Sequence, residues 1–242
     1  MRMLEVSGVS HRFGGLTALD DASFEVERGE IVGLIGPNGA GKTTLFNLIS
    51  GALEVQEGSI RFKGEEITHL RPDQISRRGL ARTFQTSKLF NGMSAFENVR
   101  LALIYGNPDR RFRYADAERE VNQLLATMGI LSDRNKPVRD LSLASRRYLE
   151  IARALATSAE MLLLDESMAG LTPRELQQVM ERVTRLRERG LTIVMIEHVM
   201  EAIMGVCDRI IVFHFGQKIA EGSPGVIAAD ATVRSVYLGG DS

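Results

Sequence analysis

Residues 30–46 read Glu30-Ile31-Val32-Gly33-Leu34-Ile35-Gly36-Pro37-Asn38-Gly39-Ala40-Gly41-Lys42-Thr43-Thr44-Leu45-Phe46. Ile31–Ile35 is apolar except for Gly33, the pattern of a strand covered on both faces. Gly36 through Thr43 fits G-x-x-x-x-G-K-[ST] in full, and the run from Thr44 to Ile49 that follows is helical in pattern. Strand, glycine-rich turn and helix in this order make a phosphate cradle. The glycines let the backbone turn inward, so that successive N–H groups face an anion. The following helix adds its positive end. Lys42 brings a full charge to the β- and γ-phosphates, and the Thr43 hydroxyl can ligate magnesium. The expected nucleotide contacts are Gly36, Pro37, Asn38, Gly39, Ala40, Gly41, Lys42, Thr43 and Thr44.

A second element lies far downstream. Met161-Leu162-Leu163-Leu164-Asp165-Glu166 is an apolar strand that ends in two carboxylates. Open α/β sheets place ligands at that edge. Asp165 is expected to hold magnesium, directly or through water, and Glu166 to face an attacking water as general base or orienter. Thr192–Ile196 reads as another buried parallel strand. The helix between the two is well specified: Thr172 as N-cap, Pro173 in the first turn and Glu175 completing a capping box. Leu176, Val179, Met180, Val183 and Leu186 follow at helical spacing, and Gly190 ends the run. The fold class is therefore α/β with a mainly parallel sheet.

Outward from these elements the ends are rich in strand. Leu4-Glu5-Val6, Ser23–Val26 and Ser59–Phe62 alternate apolar and polar, which suits a half-buried antiparallel sheet. From about Asp73 to Ser158 the chain is expected to be mostly helical. The 242 residues carry 30 basic and 31 acidic side chains, a net charge of -1, which argues against a surface built for nucleic acid. One cysteine, Cys207, cannot make an internal disulfide. No apolar run approaches the ~20 residues of a membrane span, and Met1-Arg2-Met3-Leu4 runs straight into a strand pattern rather than a signal peptide. A soluble intracellular chain is expected, with any membrane role supplied by a partner.

Several further stretches follow in fixed order: Ala81-Arg82-Thr83-Phe84-Gln85, Leu89-Phe90, Ser94–Val99, Leu149–Leu155, Ala169-Gly170-Leu171-Thr172-Pro173, Ile196-Glu197-His198 and Asp208-Arg209-Ile210. With these the chain resembles ATPase subunits of ABC transporters, most of all those of branched-chain amino acid uptake. The resemblance runs from about Leu4 to Leu238. It implies a P-loop NTPase fold with a mainly parallel core, an N-terminal antiparallel β-subdomain and an inserted helical subdomain. The implied division is a core of residues 1–85 and 158–242 with a helical subdomain at 86–157. The implied cofactors are ATP and Mg2+. By the same resemblance Gln85 touches magnesium and the lytic water, His198 reaches the γ-phosphate, and Phe13 stacks on adenine. Leu89, Phe90 and Phe96 would dock a helix of a membrane subunit.

The chain departs from the family at its signature. Leu141-Ser142-Leu143-Ala144-Ser145 stands where the family carries Leu-Ser-Gly-Gly-Gln. In the family this segment closes on the ATP held by the other subunit, so Ser142, Leu143, Ala144 and Ser145 are the expected contacts in trans. A leucine side chain where glycine allows close backbone approach should weaken that contact. The implied partners are a second ABC ATPase, in a homodimer or, as the altered signature favours, an asymmetric heterodimer, with transmembrane permease subunits and, indirectly, a solute-binding protein. The implied place is the cytoplasmic face of the inner or plasma membrane. An import ATPase is the leading reading. An exporter ATPase and a weakly hydrolytic regulatory subunit stand as alternatives, while one cassette and neutral charge disfavour a nucleic-acid-linked ATPase.

Overall fold

The computed structural model describes residues 1–84 and 88–238. Two long strands, β1 (Arg2–Phe13) and β2 (Leu16–Glu27), open the chain, followed by β3 (Ile31–Ile35) and α1 (Lys42–Ile49). Next come β4 (Glu57–Phe62), β5 (Glu65–Glu66), α2 (Pro72–Arg77) and β6 (Leu80–Arg82). Three helices follow, α3 (Ala95–Gly106), α4 (Tyr114–Thr127) and α5 (Leu143–Leu155). The chain then returns through β7 (Met161–Asp165), α6 (Pro173–Glu188), β8 (Thr192–Ile196) and α7 (Met200–Val206). It closes with β9 (Arg209–His214), β10 (Gln217–Gly222), α8 (Pro224–Ala229) and α9 (Ala231–Leu238).

The strands form two sheets. One is four-stranded and antiparallel, in the order β2-β1-β4-β5. The other is six-stranded, in the order β10-β9-β3-β8-β7-β6. In it β3 pairs in parallel with β8 and β9, β7 with β8 and β6, and only β10 runs antiparallel. Side chains of successive residues point to opposite faces of a strand, and the core divides accordingly. Ile31, Ile35, Leu162, Leu164, Ile193 and Met195 face a cluster shared with α3 to α7. Val32, Leu34, Met161, Leu163, Val194 and Ile196 face a second cluster shared with α1 and the antiparallel sheet. The parallel strands therefore read as unbroken apolar runs because both their faces are covered.

The capping expectation for α6 holds. Thr172 Oγ1 accepts from the Glu175 N–H, and Glu175 Oε2 accepts from the Thr172 N–H at 2.9 Å. The expected mostly helical stretch from Asp73 to Ser158 contains a strand, β6, which pairs in parallel with β7 through Leu80, Ala81 and Arg82. Three residues carry no periodicity of their own, and only the neighbouring strand makes them β. Phe96 is 8% exposed and belongs to the core, whereas Phe90 remains 45% exposed. Among the described residues no helix is long and apolar enough to cross a membrane.

Candidate active site

The C-terminal ends of β3, β7 and β8 lie side by side, because β3 pairs with β8 and β8 with β7. This register gathers the Gly36–Thr43 loop, Asp165-Glu166 and Glu197-His198 at one edge of the sheet. The loop demands glycine at two points. A Cβ on Gly36 would overlap the Phe213 carbonyl, and one on Gly41 (φ +96°) would overlap the Ala18 carbonyl. Lys42 is 5% exposed. Its Nζ donates to the Gly36 carbonyl at 2.6 Å and the Pro37 carbonyl at 2.9 Å, so the ammonium is folded over its own loop. Burial lowers the Lys42 pKa, opposed by the charges of Glu166 and Asp165. Thr43 is exposed and Thr44 half-buried at the start of α1.

Asp165 ends β7 and is 2% exposed. Its Oδ2 accepts from Arg82 Nη2 at 2.7 Å. Its Oδ1 is buried and has no hydrogen-bond partner among the described residues. Arg82 Nη1 also donates to Asn47 Oδ1 at 2.7 Å and Ser50 Oγ at 3.1 Å, so one guanidinium ties β6 to both α1 and β7. Glu166 takes a left-handed backbone conformation, φ +47°, and its N–H donates to the Ile196 carbonyl at 2.9 Å. Its Oε1 lies 2.9 Å from Nε2 of His198, whose side chain is 47% exposed. The backbone turn at Glu166 thus delivers the carboxylate to the imidazole that leaves the end of β8.

A cavity of about 350 Å³ spans Phe13, Asn38 through Thr44, Glu166 and Phe215. Phe13 is 47% exposed at the end of β1, with the His11 ring edge-on at 4.6 Å between centroids. Gln85 lies outside the described residues. The segment of altered signature does not line this cavity. Ser142 caps α5, its Oγ accepting from the Ser145 N–H at 3.1 Å, while Ser145 Oγ donates to Asp133 Oδ2 at 3.1 Å. Ala144 is buried and Leu143 is 46% exposed at the helix start, close to the position a side chain on Gly170 would take. Among the described residues no group of three or more His, Cys, Asp or Glu could hold a metal ion.

Two residues at this edge were not singled out in the sequence. Arg82 is one: it stands in the Ala81–Gln85 stretch, but nothing in the sequence assigned its guanidinium a role. Glu197 is the other. It is 2% exposed, and its Oε1 accepts from the Met168 N–H at 2.9 Å, which straps the loop after Glu166 to the residue before His198. Burial pushes the Glu197 carboxyl up to about 7. A carboxyl protonated more readily when folded contributes stability at low pH and loses it as pH rises through its folded value. The chain is therefore expected to lose on the order of 3 kcal/mol between about pH 5 and 8 through this group. Glu197→Gln keeps the acceptor for Met168 and should flatten that slope. Denaturant melts of both proteins at the two pH values measure it, and equal slopes would assign the loss to other groups.

A mainly parallel sheet that carries this loop between a central strand and α1 is the architecture of P-loop nucleoside triphosphatases. Comparison with known proteins is specific. The family model described as ABC transporter matches residues 19–169, and that of the branched-chain amino acid ATP-binding cassette transporter matches residues 217–242. The chain is 37% identical to the high-affinity branched-chain amino acid transport ATP-binding protein BraF of Pseudomonas aeruginosa, over 98% of each chain. It is 38% identical, over the same shares, to the corresponding protein LivG of Escherichia coli. A crystal structure of an ATP-binding cassette of an ABC transporter in its ADP conformation superposes with a TM-score of 0.90, at 29% identity and 99% coverage of both chains. The chain belongs to the ABC transporter family and is an ATP-binding cassette ATPase. Subunits of this kind bind nucleotide, dimerise and work with permease components.

Proposed function

We propose that this cassette hydrolyses ATP to energise uptake of branched-chain or related amino acids. The observation that carries the reading is the convergence of Lys42, Asp165, Glu166 and His198 at one sheet edge, in a chain similar over its whole length to ATP-binding proteins of branched-chain amino acid transport. The buried acceptor left open on Asp165 suits a divalent cation, and Thr43, Asp165 and Gln85 would hold Mg2+. When bound, such an ion would offset negative charge developing on the phosphates. Loop N–H groups and Lys42 hold the phosphates. Glu166 orients the water and takes its proton. His198, seated against Glu166, contacts the γ-phosphate and keeps the carboxylate aimed.

Two surfaces support the partner reading. A groove of about 320 Å³ between β6 and the α3–α5 layer is lined by Ser50, Arg82, Phe84, Lys88, Glu150 and Arg153 among others. It would receive a segment of the permease and so keep the cassette on the cytoplasmic face of the membrane, with residues 86–157 as the subdomain that borders the groove. The α5 start would face the ATP of a second cassette. With Leu143 and Ala144 in place of glycine, that composite site turns over slowly, and the site built on Lys42 and Glu166 does most of the work. Mixed dimers with the cognate second cassette, reconstituted with the permeases in vesicles, test both claims. Leucine uptake should require ATP, and Glu166→Gln should abolish it while the matching partner substitution leaves most of it. The reverse pattern would make this chain the weakly hydrolytic subunit that Leu143-Ala144-Ser145 also allows, and ATP-driven extrusion would overturn import.

A further inference from the structure

The hairpin between β9 and β10 turns at Phe215 and Gly216, outside every motif considered above. Phe215 is 80% exposed and sits in the left-handed region at φ +46°. That conformation is strained for a non-glycine residue, and such strain persists where surrounding structure enforces it. The enforcing contacts are visible. The Gly216 N–H donates to the Ala40 carbonyl at 3.2 Å, and the Gly216 carbonyl accepts from the Asp20 N–H at 3.0 Å. The hairpin tip is thereby fastened to the phosphate loop on one side and to β2 on the other. The His214 ring, 4.2 Å away and tilted by 45°, braces the Phe215 ring.

Phe215 lines the same cavity as Phe13, Leu16 and the 38–44 loop. Leu16 is 68% exposed, so this cavity has phosphate-binding backbone at its floor and three exposed apolar side chains at its rim. A strained, solvent-facing aromatic adds nothing to the core. It adds binding surface for a flat apolar ligand held by its phosphates below. We propose that Phe215 is a second aromatic wall for the nucleotide base, acting with Phe13. The inference rests on the nucleotide reading of the 36–43 loop and extends it to a residue more than 170 positions downstream in sequence. Aromatic stacking contributes about 0.5–1.5 kcal/mol beyond area burial, so loss of one wall should weaken binding by about two- to tenfold.

The test compares two probes by calorimetry on the purified protein with magnesium: ATP, which carries a base, and inorganic tripolyphosphate, which does not. Phe215→Ala should weaken ATP about two- to tenfold and leave tripolyphosphate unchanged, and Phe215→Tyr, which keeps a ring, should stay within about twofold of the parent for both. Unchanged ATP affinity in Phe215→Ala, or equal weakening of both probes, overturns the proposal while leaving the phosphate site intact. Failure of both probes to bind the parent protein would instead bring down the nucleotide reading of the loop and this inference with it.

Discussion

Glu166→Gln is expected to lower ATP turnover by about 10²- to 10⁴-fold while nucleotide affinity stays within a few-fold. The substitution keeps the size of the side chain and an oxygen acceptor for His198, now 2.9 Å from Glu166 Oε1. It keeps the backbone too, since the left-handed turn at residue 166 is held by its N–H on the Ile196 carbonyl. What disappears is the proton-accepting capacity that the proposed mechanism assigns to Glu166. On the proposed reading phosphate contacts come from the loop and Lys42, which the substitution does not touch, so binding and chemistry should separate. Phosphate release under saturating ATP, beside equilibrium binding, reads the two effects. Turnover within threefold of the parent would move the proton-accepting role to another group.

Arg82→Met is expected to destabilise the fold by about 3–5 kcal/mol, because removal of one member of a buried pair leaves the other charge uncompensated. The pair qualifies by burial, with side-chain exposures of 5% for Arg82 and 2% for Asp165. The same guanidinium also satisfies Asn47 and Ser50 and lies over the Phe46 and Phe84 rings. Adding Asp165→Asn should recover part of the loss, since the stranded charge goes with it. Urea unfolding of the single and double variants measures the coupling. A single-variant loss below about 1 kcal/mol would mean that water reaches Asp165 freely.

These two residues also mark what the sequence could and could not disclose. The phosphate loop, the buried runs of β3, β7 and β8, and the Thr172 capping box are local patterns, legible because neighbours along the chain are neighbours in space. Arg82 meets Asp165 across 83 positions, and Glu197 meets Met168 across 29, so no window of sequence contains either contact. Strand β6 is β only because β7 lies beside it. Phe90 and Phe96 look alike as letters, yet Phe90 stays exposed in the segment before α3 while Phe96, in the first turn of α3, is buried in the core. The altered signature was plain to read. Its consequence is not local, because the start of α5 does not line the cavity of its own chain.

The order of strands has a bearing on how the molecule is made. β3 carries the phosphate loop and leaves the ribosome early, but both its flanking strands arrive late: Ile31 waits for Ile193, and Val32 for Arg209. Until then a five-residue apolar segment has neither edge paired, the condition under which nascent chains stick to one another or to chaperones. A chain cut short before β9 would therefore contain every residue of the loop and still leave one edge of β3 unpaired.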